Sequence, residues 1–294
     1  MDAAAVRSAA ARIAGRVHRT PVLTSATLEA RTGARVAVKN EAVQKTGSFK
    51  VRGALNRLLT LPEEALDRGL VAVSAGNHAG ALAWAAAQVG AKATVVMPTG
   101  APAAKVAACW GYGAEVVLHG ETTGEAFAEC ERLQRERGLT FVHPFDDPEI
   151  VAGQGTSGLE LVADAGPLDV WVCCVGGGGL ICGTSLAVRD ANPGCRVVGV
   201  EPEGAAALTA ALAAGRPVPI VPRSVADGLC APFAGPLTFP LFRELVDEMV
   251  LVSEAELLAG KVGDLAGARV GTILSGGNVD LGVVGPLLAT AEAD

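Results

Sequence analysis

The sequence predicts an α/β protein in which parallel sheets carry helices on both faces. The first observation is rhythm. Short apolar runs recur at 35–39, 70–74, 93–97, 114–118, 169–175, 196–200, 248–252 and 269–274, and helical stretches of about 10–15 residues separate most of them, as in successive βαβ units. The second is composition. Half of the 294 residues are hydrophobic, only 4% are aromatic and 37 are glycine, which suits Ala/Val/Leu/Gly-built layers and not an all-β or disordered chain. The third is length, which allows one or two domains around a substantial core.

Taken in order, residues 4–17 read as an Ala-rich amphipathic helix, ended by His18-Arg19-Thr20-Pro21 because proline forces extension before it. The strand 35–39 leads into Glu41-Ala-Val-Gln-Lys-Thr-Gly-Ser-Phe-Lys50-Val-Arg-Gly-Ala54 and then an apolar helix over 54–59. Residues 69–140 hold three compact strand–helix units and are expected to form a small domain, with 1–68 and 141–294 building the large one. No low-complexity linker marks the boundary. A ligand is expected between the two, where open α/β sheets present the carboxyl ends of their strands.

Four stretches carry chemistry. Thr46-Gly47-Ser48 has turn and N-cap character, which places Lys50 in the first turn of its helix. The uncapped N–H groups there disfavour an ammonium and favour the neutral amine, the form that condenses with an aldehyde. The plain alternative is a solvated lysine, but the chain has only six and this one follows Phe49 inside a Gly/Ser turn. Gly176-Gly177-Gly178-Gly179-Leu180 stands between the buried-looking strand 169–175 and a helix. Strand, glycine loop and helix together aim backbone N–H groups at a phosphate, although four glycines alone also make a flexible loop. Ser74-Ala75-Gly76-Asn77-His78 crowds a helix N-terminus that suits a carboxylate, with Asn77 as an ordinary cap as the alternative. Ser275-Gly276-Gly277-Asn278 closes the strand 269–274 and is also good turn chemistry.

In that order and at those separations, Ser48-Phe-Lys-Val-Arg-Gly-Ala54, Ser74-Ala-Gly-Asn-His-Ala79, Gly176–Leu180 and Ser275–Asn278 resemble the fold-type II pyridoxal-phosphate enzymes. The branch is that of the threonine/serine dehydratases and serine racemases, and the resemblance runs from about Thr20 to Leu281. It implies a tryptophan synthase β-like fold of two doubly wound open sheets and pyridoxal 5′-phosphate as cofactor. It also implies α,β-elimination of water from L-threonine or L-serine, giving a 2-oxo acid and ammonia. Lys50 is then the cofactor lysine and the base for the α-proton. Phe49 packs beside the ring, and Gly176, Gly177, Gly178, Gly179 and Leu180 hold the phosphate. Asn77 lies near the 3′-oxygen. Ser74, Ala75, Gly76, Asn77 and His78 cradle the substrate carboxylate, His78 as a hydrogen-bond donor and not a base. Ser275 meets the ring nitrogen, where a neutral hydroxyl cannot hold a proton as a carboxylate would.

Several departures refine this. Ala75 stands where racemases of the branch carry a second serine, so racemisation is expected to be weak. Phe145, in His143-Pro-Phe-Asp-Asp147, replaces the racemase pattern's Asn and is dehydratase-like. The 253–269 segment is about 20–25 residues shorter than in family members. It keeps open a dehydratase for another β-hydroxy amino acid, such as a 3-hydroxyaspartate or phenylserine, or a non-catalytic cofactor-binding protein. The branch's divalent-cation site is expected to be absent or weak. Glu201 and the Ala205 carbonyl match its pattern, but Ala207 brings no oxygen, leaving Glu201 to face water or an arginine.

Composition closes other doors. A net charge of −7 argues against nucleic acid, and no apolar run reaches membrane-spanning length free of Gly, Pro or charge. No signal-peptide pattern opens the sequence, and the C-terminal regulatory domain of biosynthetic threonine dehydratases is not expected. Seven cysteines without disulfide spacing point to the cytoplasm, with Cys173 and Cys174 read as core residues. No clustered zinc ligands are visible. The family habit implies a homodimer.

Overall fold

The computed structural model describes residues 1–254, 256 and 265–278. The first half of the chain contains α1 (Ala3–Ile13), β1 (Val22–Leu23), α2 (Ala26–Thr32), β2 (Arg35–Asn40), α3 (Lys50–Leu58) and α4 (Glu63–Arg68). It continues through β3 (Leu70–Val73), α5 (Asn77–Val89), β4 (Ala93–Met97), α6 (Ala103–Gly111), β5 (Glu115–Leu118), α7 (Thr123–Arg137) and β6 (Thr140–Phe141). The second half contains α8 (Pro148–Ala165), β7 (Val170–Cys174), α9 (Gly179–Ala191) and β8 (Arg196–Pro202). After these come α10 (Ala207–Ala214), α11 (Thr238–Leu245), β9 (Glu248–Val252) and β10 (Arg269–Leu274).

Two sheets result. One has six strands in the order β1-β2-β10-β7-β8-β9, the other four in the order β5-β4-β3-β6. All pairings are parallel except β1 with β2. Central strands of such sheets are covered on both sides, which is why β4 reads Ala-Thr-Val-Val-Met and is buried throughout. All eight expected strands are found, differing from the observed ones by at most two residues at an end, or not at all. β1 and β6, two residues each, were not expected, because so short a run has no period to detect. The first helix ends at Ile13, four residues early: Ala14 is extended and Gly15 takes φ 73°. Most of the short 253–269 segment lies outside the described residues.

Strand β10 is inserted between β2 and β7 although it comes last in the chain. Its Arg269 pairs with Arg35 of β2 and its Val270 with Val170 of β7. The stretches 41–50, 275–278 and 176–179 therefore leave the carboxyl ends of three adjacent strands. The stretch 74–77 leaves the carboxyl end of β3 in the other sheet.

Helix α8 sets the depth of this arrangement. Asp147 caps it by accepting from the N–H groups of Glu149 and Ile150. A Cβ on Gly153 would fall 2.5 Å from the Gly53 Cα of α3, and one on Gly155 would fall 2.5 Å from the Gly183 carbonyl of α9. Glycine thus lets α3 and α9, which carry Lys50 and the glycine loop, close onto one helix. Val51, Ala54, Leu55 and Leu58 of α3 share a core with α5 and the four-stranded sheet.

Candidate active site

Motifs more than two hundred residues apart are zipped together around Lys50. Gly47 takes φ 71°, and a Cβ there would lie 2.4 Å from Asn278 Oδ1. Phe49 N–H donates to the Ser275 carbonyl at 3.0 Å and Gly277 N–H donates to the Gly47 carbonyl at 2.9 Å. Asn278 Nδ2 donates to the Thr46 carbonyl at 2.7 Å and to Asn77 Oδ1 at 2.9 Å, adding the 74–78 stretch. Lys50 opens α3, and Asn77 opens α5 without capping it.

Among the described residues Lys50 has no carboxylate partner. Its Nζ donates to the Pro144 carbonyl at 2.9 Å and lies 5.2 Å from the Phe49 ring centroid. Burial lowers its pKa to about 8 against a small opposing pull from Cys174. The histidines beside it are neutral for the same reason. Burial and then the Lys50 charge take His78 down to about 3. His143 falls to about 4, by burial first, and its Nδ1 accepts from the N–H groups of Phe145 and Asp146 at 3.2 and 2.8 Å. His78 needs a correction. Its Nε2 lies 3.0 Å from the Val142 carbonyl, which can only accept, so the ring's one proton is spent there. Its buried Nδ1 has no partner and presents a lone pair. The expected donor to a carboxylate is therefore an acceptor in the neutral ring.

The glycine loop follows β7 and runs into α9. Each glycine answers to a protein neighbour, an origin different from clearance for an anion alone. A Cβ on Gly177 would enter the Phe145 ring at 2.4 Å, and one on Gly179 would meet the Phe145 carbonyl at 2.9 Å. Gly176 faces Leu229 O at 3.1 Å, and Gly178 takes φ 91°. Thr238 Oγ1 donates to the Gly177 carbonyl at 2.8 Å, while Asp146 Oδ1 accepts from Leu237 N–H and Thr238 N–H. Phe145, Asp146 and Thr238 thus fasten the loop from behind.

Helix capping marks this region, although α4 and α6 also begin without a side-chain cap. Asp2, Ser25, Thr122 and Asp147 cap α1, α2, α7 and α8 with side-chain oxygens. No side chain caps α3, α5 or α9, and their first turns carry Lys50, Asn77 and Gly179. Three helix N-termini therefore bring unspent N–H groups and partial positive charge to one place, the demand of a ligand with phosphate and carboxylate groups. Thr46 Oγ1 and Ser48 Oγ are buried there without partners as well.

The two cysteines part company. Cys173 is a core residue, but Cys174 is only half-buried, at the carboxyl end of β7 just before the glycine loop. Nothing but the alternation of the strand distinguishes the two in the sequence. The expectation for Glu201 also fails. It is fully buried, with Oε1 accepting from Leu208 N–H at 2.8 Å and Oε2 from Thr209 N–H and Oγ1 at 3.0 and 2.7 Å. It meets neither water nor arginine but the first turn of α10, and burial raises its pKa.

Comparison with known proteins decides the family. A model for pyridoxal-phosphate dependent enzymes matches residues 13–263. The chain belongs to this family. The L-threonine ammonia-lyase of Thermotoga maritima is 42% identical over 293 residues, 91% of this chain and 73% of that protein. The L-threo-3-hydroxyaspartate ammonia-lyase of Saccharomyces cerevisiae is 39% identical, over 98% of this chain and 96% of that one. The structure of maize serine racemase superposes with a TM-score of 0.89 at 34% identity, covering 99% of this chain and 98% of that one. The fold is that of the fold-type II pyridoxal-phosphate enzymes, and the cofactor is pyridoxal 5′-phosphate. Among the described residues no helix is long and apolar enough to cross a membrane.

Proposed function

We propose that the enzyme is an ammonia-lyase that removes water from a β-hydroxy-α-amino acid, L-threonine or L-serine first, and releases a 2-oxo acid and ammonia. The observation that carries this is Lys50, a lysine with a lowered pKa and no carboxylate partner at the meeting point of three uncapped helices. When bound, pyridoxal 5′-phosphate supplies the electron sink for the carbon that loses its proton. The residues fit that group. Gly176–Gly179 and Leu180 would hold its phosphate on the first turn of α9, Phe49 would support its ring, and Asn77 would serve the 3′-oxygen. Ser275 would offer the ring nitrogen a neutral hydroxyl, which cannot hold a proton there as a carboxylate would.

Lys50 would hold the cofactor and, with its amine free, would take the substrate's α-proton at Nζ. Ser74, Ala75, Gly76 and Asn77 cradle the substrate carboxylate through the first turn of α5. His78, its proton committed to Val142, holds the Asn77 turn against the β6 side. The reading extends to two domains, 1–68 with 141–294 and 69–140, and to a cytoplasmic homodimer. Seven free cysteines support the compartment.

A second reading is favoured by the yeast relative, which matches nearly end to end: the substrate is a 3-hydroxyaspartate. A non-catalytic cofactor-binding protein is the third. Incubating the loaded enzyme with threonine, serine and 3-hydroxyaspartate and measuring 2-oxo acid separates them. Release from threonine or serine is expected. Release from 3-hydroxyaspartate alone moves the assignment to the second reading, and release from none overturns the lyase.

A further inference from the structure

Residues 142–145 thread the centre of the site, and His143 is flanked there by contacts to three of its elements. The Val142 carbonyl accepts from His78 Nε2–H of α5 at 3.0 Å. The Pro144 carbonyl accepts from Lys50 Nζ of α3 at 2.9 Å. The Phe145 ring lies 2.4 Å from where a Cβ on Gly177 of the glycine loop would fall. His143 thus stands between the carbonyl that meets His78 and the carbonyl that holds the lysine.

Its imidazole is fixed at one end and open at the other. Nδ1 accepts from Phe145 N–H at 3.2 Å and from Asp146 N–H at 2.8 Å, so in the neutral ring the proton stands on Nε2. Burial keeps the ring neutral. Phe145, Phe141 and Phe233 hold its plane, with ring centroids at 4.6, 5.8 and 6.4 Å in edge-on arrangements. Nε2–H has no partner among the described residues and is not sealed from solvent. His78 is used the other way round, its proton committed to Val142 and a lone pair left over. An N–H donor that is oriented in advance and left unsatisfied is what stabilises negative charge as it develops on an oxygen.

We propose that His143 is a catalytic residue that donates Nε2–H to the β-oxygen of the substrate as that oxygen departs. This rests on the lyase reading above and names the group that tells a hydroxyl from other leaving groups. The Cα–H bond breaks and its proton goes to Lys50 Nζ. The electron pair ends in the new Cα–Cβ double bond, and the Cβ–O bond breaks with its pair going to oxygen. His143 meets the charge building on that oxygen and keeps its own proton. The hydroxide takes a proton from solvent and Lys50 returns one, so the sum is the loss of water. A chloride at Cβ departs as a stable anion and has little use for the donor.

Asn and Gln divide the imidazole between them. His143→Asn sets an amide oxygen near the place of Nδ1, which can still accept from Phe145 and Asp146, and removes the far donor. His143→Gln sets an N–H near the place of Nε2 and gives up the near acceptor. The test compares kcat/KM for 2-oxo acid release from β-chloro-L-alanine and from whichever of L-threonine, L-serine and 3-hydroxyaspartate the parent accepts. His143→Asn is expected to lower the ratio of hydroxy to chloro substrate by ~10²-fold. His143→Gln should keep that ratio near the parent's, even where it lowers the melting temperature. In the cofactor-free parent, nitrogen NMR of His143 should show Nε2 protonated and Nδ1 bare.

An equal loss on both substrates in His143→Asn, or no loss, overturns the role, as does a ratio that Gln lowers as far as Asn. A proton found on Nδ1 overturns it without any turnover. Release from β-chloro-L-alanine but from no β-hydroxy amino acid overturns the role of His143 and leaves the elimination standing. Failure of the lyase reading looks different: the parent then releases 2-oxo acid from none of these compounds, and the role falls with it even where Nε2 carries the proton.

Discussion

Lys50 and Arg52 stand two residues apart on α3 and meet opposite fates. Arg52 is fully buried, with Nη2 2.8 Å from Glu41 Oε1 and Nη1 2.8 Å from Glu160 Oε1. Burial alone would lower its pKa, but the Glu41 and Glu160 carboxylates outweigh that and raise it. Lys39 joins the same network through Glu160 at 2.7 Å and the Thr20 carbonyl at 2.5 Å, though there burial wins and its pKa falls. Lys50 has only a neutral carbonyl, and burial pushes it down. The lesson is that a buried cation titrates by the balance of burial against carboxylate partners. Two carboxylates outweigh burial at Arg52, burial still wins at Lys39, and only a neutral carbonyl meets Lys50. A helix rotation of two residues turns Arg52 to carboxylates behind the site and Lys50 to a pocket without them.

The largest expected effect comes from removing Lys50. Lys50→Ala should lower 2-oxo acid release by ~10³-fold or more while leaving the fold intact, because binding and proton transfer are lost together. The same change sharpens the contrast in the cofactor-free protein. Lys50 binds its proton less readily folded than unfolded, so the unfolded state carries more protons between about pH 8 and the ordinary lysine value of 10.5. Stability is then expected to rise with pH across that window and to be lower below it. Lys50→Met should flatten the rise and stabilise the protein near neutral pH by up to about 3 kcal/mol, read from denaturant melts. A falling curve in that window would show that Lys50 keeps its charge.

Breaking the paired network should do the reverse. Glu41→Gln leaves Arg52 with one carboxylate in a dry site, and a loss of about 3–5 kcal/mol is expected with little change in the spectrum of the bound cofactor. A variant that melts like the parent would mean that the network is not what holds α3. Next in size is Glu201, a buried carboxylate held by N–H and O–H groups alone. Glu201→Ala uncaps α10 and is expected to cost about 1–3 kcal/mol. Two near-zero effects complete the series. Both Glu201 oxygens are already occupied, so added Mg2+ or Ca2+, or a chelator, should leave the melting temperature unmoved. A large metal-dependent shift abolished by Glu201→Ala would overturn that. With Ala75 offering no proton donor on the second face, prolonged incubation with L-serine should leave no D-serine, as chiral chromatography would report.

The sequence by itself determined the strands and the starts of the three site helices. Apolar runs, turn residues and glycines act within a few residues of one another, so β9 and β10 are found at the expected bounds. Lys50 and Asn77 lie in the first turns of their helices as expected, and α9 begins at Gly179, one residue before the expected Leu180. The pattern of four motifs was legible for the same reason. Only the tertiary structure decided what faces what. It inserted β10 between β2 and β7, which brings Ser275–Asn278 against Thr46–Phe49. It spent the His78 proton on Val142 and set Phe145 against Gly177. It sent Cys173 into the core and left Cys174 half-buried at the end of β7. It left Glu201 to cap a helix instead of meeting solvent. Each of these depends on a partner distant in the chain, and a hydrogen bond or a steric limit between such partners leaves no period or spacing in the sequence from which to read it.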